Sequence, residues 1–146
     1  MVTEARLIDL AAANHTNREL QLMLSGSKPL AMFYALVSEL PDERLIPEDR
    51  FASYVAEGRF LREEVIYNEA FELASVRNSQ TKYVFFAVPD EAWRIRAMLL
   101  VQHSFRKSSY RWSETLERIE SALLGYTDDE IDAWCASRFH SNNVGN

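Results

Sequence analysis

Cysteine occurs once in this chain, at Cys135, so no disulfide can form within it and nothing points to an oxidising compartment. Glycine occurs only at 26, 58, 125 and 145 and never clusters, which excludes a Gly-rich phosphate cradle. The three histidines, His15, His103 and His140, have no ligand-spaced His or Cys partner, so no metal site is expected and each reads as a surface histidine. No apolar run approaches the roughly 20 residues that span a bilayer. Residues 1–6 lack the basic region and the long apolar run of a signal peptide. These absences predict a cytoplasmic protein with no membrane contact, no cofactor and no metal.

What remains is an ordinary globular composition. The chain has 146 residues, 47% hydrophobic and 26% charged. A chain of that length buries about 70% of its unfolded surface and needs no staples. There is no internal repeat, linker or low-complexity tract, so residues 1–146 read as a single α+β domain.

The charge layout is less ordinary. The net charge is -6, which disfavours nucleic-acid binding, since phosphate neutralisation needs a basic footprint. Residues 1–91 carry 15 acids and 9 bases, and residues 114–146 carry 7 acids and 2 bases. Between them, residues 92–113 carry Arg94, Arg96, Arg106, Lys107 and Arg111 and no acid.

Taken in order, residues 4–13 read as a short helix with Leu7, Ile8, Leu10 and Ala11 as its apolar side. Thr16 and Glu19 fit a capping box, and Gly26 suits a helix end, which favours helix over 17–25. Leu20, Leu22 and Leu24 alternate with period two, the competing strand pattern. The aromatic and β-branched content of 30–37 predicts a buried strand. Pro47 suits the first turn of a helix that turns Phe51, Tyr54 and Val55 inward and stops at Gly58. Strands are expected at about 59–67, 70–76 and 82–88, with short connections that favour antiparallel pairing. With 30–37 they make an antiparallel sheet of about four strands.

Helix 92–107 is expected to lie centrally among helices packed on one face of that sheet. Its inward residues are predicted as Trp93, Ala97, Leu100, Val101 and Ser104, widened by Met98 and Phe105. Arg96, His103 and Lys107 then share the opposite side. The C-terminal third reads as a helical hairpin. Ser113 caps a first helix, 114–124, whose inner row is Leu116, Ile119 and Leu123. Thr127 and Glu130 form a capping box for a second, 128–139, with Tyr126 and Ile131 as its hydrophobic staple. That second helix carries Ile131, Trp134, Cys135 and Phe139 inward, and residues 141–146 should fray.

No catalytic constellation is visible. Cys135 shares a helix side with Ile131 and Trp134, as a buried inert thiol does. Glu63 and Glu64 are strand neighbours facing opposite ways, and Asp128 with Asp129 suit a helix N-terminus. The basic window is the one unassigned feature. Arg96, His103, Arg106, Lys107, Tyr110, Arg111 and Trp112 combine cations, hydroxyls and aromatics, types that grip phosphate and stack on bases.

Two classes of function follow. The first is a small soluble non-enzymatic interaction protein (an inhibitor, immunity-type or adaptor module) that engages an acidic protein partner through the strip around residues 94–112. The second is a small-molecule binder or enzyme with a pocket between the sheet and helix 92–107. Overall acidity makes a nucleic-acid partner the weaker reading. Internal neutralisation of the strip by Glu114, Glu117 or Asp128 to Asp132 is the structural alternative. Nothing in the sequence sets an oligomeric state.

Overall fold

A computed structural model describes residues 15–69 and 79–140. The expected helix at 4–13, the expected strand at 70–76 and the expected frayed tail lie outside those residues. The elements, in chain order, are α1 (Glu19–Leu24), β1 (Leu30–Leu36), α2 (Glu48–Ala56), β2 (Leu61–Asn68), β3 (Gln80–Ala87), α3 (Trp93–Lys107), α4 (Glu114–Leu123) and α5 (Asp128–His140). Short 3-10 turns at Val37–Glu39 and Pro89–Glu91 follow β1 and β3.

The α+β class holds, with a correction to the sheet. Among the described residues it has three strands, not four, in the order β1-β3-β2 with antiparallel pairing throughout. The last strand in sequence is therefore the central one. It carries the run Tyr83-Val84-Phe85-Phe86-Ala87, all buried. A strand covered by a layer on each face is apolar on both, and residues 83–87 are.

The helices cover both faces of the sheet, which corrects the one-face expectation. Val84 and Phe86 point with Ala31 and Ala35 into a core closed by Met23 of α1, Phe51 of α2 and Ile46. Phe51 stacks on Phe86 at 4.1 Å. Tyr83, Phe85 and Ala87 point the other way, into a core closed by Ile95, Met98 and Val101 of α3 and Leu123 of α4. Period-two alternation along β3 feeds both layers.

Several local signals hold. Residues 19–24 are helical, and the chain then turns back at Gly26, whose N–H donates to Met23 O while Ser27 N–H donates to Leu22 O, the paired bonds of a Schellman ending. Thr16 is not the cap, however: the helix opens after Arg18 with no side-chain cap. The hairpin starts are as expected. Ser113 Oγ accepts from Leu116 N–H at 3.2 Å. Thr127 Oγ1 accepts from Glu130 N–H at 3.2 Å while Glu130 Oε1 accepts from Thr127 N–H at 2.9 Å. Both halves of the capping box are present.

Two helix faces were misread. Trp93 is 56% and Leu100 is 65% exposed, whereas Ile95, Met98, Val101 and Gln102 are buried. The buried stripe of α3 is thus turned about one residue (~100°) from the expected one. Apolar side chains occupy more than half of this helix, so period 3.6 alone could not choose between arcs. On α4, Ile119 is exposed and Glu117 is buried in its stead.

Candidate functional site

The fold divides the basic window into an internal and an external set. Arg94 donates from Nε to Glu91 at 2.8 Å and from Nη1 to the Ala122 and Leu123 carbonyls at 3.1 and 3.2 Å. It closes the C-terminal end of α4, where unpaired carbonyls attract a cation. Arg106 pairs with Glu69, whose side chain is only 3% exposed, and lies 3.6 Å over the Tyr67 ring. Tyr110 OH donates to the same carboxylate at 3.0 Å. Ser109 and Tyr110, at φ +59° and +60°, form the left-handed turn that brings this hydroxyl back. Trp112 donates its indole N–H to Glu117.

The external set shares one side of α3. Arg96, His103 and Lys107 are exposed, and Arg111 follows, also exposed, just past the helix end. Arg96 makes a loose 3.8 Å contact with Glu63 of β2, its own side chain 76% exposed. His103, Lys107 and Arg111 make no side-chain bond among the described residues. The C-terminal acids do not neutralise these four. Glu114 meets Arg118 and His140, Asp132 meets Arg118, and Glu117 meets Arg138.

The strip is not purely basic. Trp93 and Leu100, misassigned to the core from sequence, lie on the same arc. Positions 93, 96, 100, 103 and 107 repeat at three and four, the spacing of a helix seam. On neighbouring β2, Leu61 is also exposed, on the α3 side of the sheet by its pairing opposite Ala87. Cations therefore alternate with large apolar side chains along about four turns of helix.

Of the histidines, His103 and His140 are exposed as expected, but His15 is buried. Its ring stacks on Tyr126 at 3.8 Å, and its Nδ1 faces Lys28 Nζ at 2.8 Å. Lys28 also donates to Leu124 O. An ammonium only donates, so Nδ1 accepts and the imidazole is neutral. Burial, then the Lys28 charge, lowers the His15 pKa to about 4. Burial likewise lowers Lys28 to about 8. Nothing about an isolated His15 in sequence signals this pairing across 13 positions.

A second group, also unforeseen, lies between α4 and α5. Glu117 takes the indole N–H groups of Trp112 and Trp134 and faces Arg138 Nη1 at 3.4 Å. One turn on, Glu120 has its pKa raised to about 7 by burial and by the Glu117 charge. Both carboxylates line a cavity of about 240 Å³ with Leu124, Tyr126, Ile131 and Trp134. This cavity lies against the hairpin, not between the sheet and α3. A shallower groove of about 480 Å³ runs between Pro41, Ile46, Ile66 and Lys82. The one sequence signal for the carboxylate pair was Glu117 and Glu120 at i, i+3 beside the apolar row of α4.

Cys135 is buried, and burial pushes its thiol up, away from the reactive thiolate. Among the described residues no group of three His, Cys, Asp or Glu side chains could hold a metal ion, and no helix is long and apolar enough to cross a membrane. No known protein family, curated protein or solved structure matches this chain.

Proposed function

We propose that this chain is a non-enzymatic interaction protein that docks an acidic protein surface on the outer face of α3. The observation that carries this reading is the exposed row Trp93, Arg96, Leu100, His103 and Lys107. Tryptophan and arginine are the residue types most enriched among interface anchors. An exposed Leu between them adds apolar area that water disfavours. The seam spacing suits a partner that presents a helix with acidic flanks and an apolar stripe. Arg111 extends the positive end beyond the helix.

Charge explains the preference for partner. The strip groups Arg96, His103, Lys107 and Arg111 on one side of an otherwise acidic molecule, so a negative surface is attracted to it more than to the rest. A nucleic acid would meet repulsion from the acidic body over most of its length. Arg106, Tyr110 and Trp112 support the strip from behind through Glu69 and Glu117 and do not join the contact.

The test pairs capture with stability. Trp93→Ala and Leu100→Ala are each used as bait against a lysate beside the parent chain, with size exclusion and light scattering for self-association. The expected result is loss of one specific acidic protein from both variants, with melting temperatures unchanged. Unaltered capture by both variants, or a partner that is a second copy of this chain, would contradict the reading.

A further inference from the structure

We propose that the cavity between α4 and α5 is a binding site for a small primary ammonium compound with a short apolar body. This site is separate from the α3 strip. Three properties of its wall carry the inference. First, its charge is of one sign. Glu117, Glu120 and Glu130 line it, and among the described residues no cation does. Second, Glu117 and Glu120 are not equivalent. Glu117 is already occupied by Trp112, Trp134 and Arg138. Glu120, half-buried, has no side-chain hydrogen-bond partner among the described residues. Third, the rest of the wall is mostly aromatic and aliphatic, from Tyr126, Trp134, Leu124 and Ile131, with the hydroxyl-bearing Thr16 and Ser121.

The chemistry of the occupant follows. An ammonium supplies what Glu120 lacks, both a donor and an opposite charge. The rings of Tyr126 and Trp134 favour a cation near their faces. Leu124 and Ile131 take a few methylenes. At about 240 Å³ the space lies below the roughly 300–1,000 Å³ of sites for drug-sized ligands, so the body must be short. An anion would meet three carboxylates, and a neutral alcohol would leave the charge unpaired. Around Glu120 the other charged groups are Glu117 on its own helix and Glu130 and Arg138 on α5. Lys28 does not line the space, because its Nζ is held by His15 and the Leu124 carbonyl behind Tyr126.

The experiment uses three probes of one shape: n-butylammonium, n-butanol and butyrate. The readout is the indole Nε1–H resonance of Trp134 in the full chain. The expected result is saturable movement with n-butylammonium alone, lost at least tenfold in Glu120→Gln. A second measurement needs no variant. The carboxyl ¹³C titration of Glu120 in the parent chain should shift to lower pH when n-butylammonium is added, because ammonium binds the ionised form. Saturation by n-butanol or butyrate at the same concentrations, retention of binding in Glu120→Gln, or a Glu120 titration that n-butylammonium leaves in place would each overturn the assignment.

Discussion

Glu120 is the residue whose surroundings make the sharpest prediction. Its folded pKa lies above its ordinary value of 4.5, at about 7. The folded state therefore holds that proton more tightly than the unfolded one. The resulting stability is present below about pH 4.5 and is lost as pH rises through 7. Glu120→Gln removes the titration, so the variant should gain about 3 kcal/mol on the parent chain as pH rises from 4.5 through 7, with no further change above. His15 has the opposite sign. Its folded pKa is about 4, below the ordinary 6.5, so its contribution is present above pH 6.5 and lost on acidification towards 4. Urea melts at pH 4.5, 6 and 8 separate the two. A Glu120→Gln difference that does not change with pH would contradict the burial assigned to this carboxyl. Neither residue was legible in the sequence. Their states depend on Lys28, Tyr126 and Glu117, neighbours that only the fold brings near.

At the scale of elements, the sequence was readable where local chemistry decides and misleading where packing decides. The hairpin starts were legible because Ser113, Thr127 and Glu130 satisfy backbone groups within their own turns. Thr127→Ala should accordingly cost about 1 kcal/mol in thermal melting. The orientation of α3 was not legible. Trp93 and Leu100 are apolar, and the seam they form is as regular as the buried one. Met98→Ala should cost about 2–5 kcal/mol, the usual loss for an apolar side chain in a core. Leu100→Ala should cost under about 0.5 kcal/mol, as exposed positions do. Equal costs for the two would mean that the helix is turned the other way. The helix at 19–24 was chosen correctly over a strand, on a Gly that does end it, although Thr16 does not begin it.

At the scale of the molecule, the central position of β3 decides most of the architecture. A strand with both faces apolar needs a layer on each side, and the run at 83–87 stated that need in sequence. The one-face layering and the burial of His15 were read wrongly because each depends on chain order in space, and among the described residues the sheet has three strands, not about four. Two contacts tie the distant parts together. Gly125, at φ +92°, meets Pro29 so closely that an added Cβ would lie 2.7 Å from its Cδ. Gly125→Ala should therefore loosen the seating of the hairpin against the entry to β1 and lower the melting temperature. The Glu69–Arg106 pair joins the end of β2 to α3. Glu69→Ala would leave the mostly buried Arg106 without its carboxylate, facing Gln102 and the Tyr67 ring, and about 3 kcal/mol should be lost. The same fold that consumes Arg94 and Arg106 leaves Arg96, His103, Lys107 and Arg111 outward on an acidic body.

That outward strip is the centre of the functional account, and reversal of its charge tests it most directly. The measurement is the association rate of Arg96→Glu/Lys107→Glu with the protein that the parent chain captures, at low and high salt, beside its melting temperature. The parent chain should associate fast at low salt and slow as the Debye length falls from about 30 Å at 0.01 M to 3 Å at 1 M. The double variant should lose at least tenfold in rate at low salt, lose the salt dependence, and melt within about 0.5 kcal/mol of the parent. An unchanged association rate together with a lowered melting temperature would contradict the account and make the strip a structural feature.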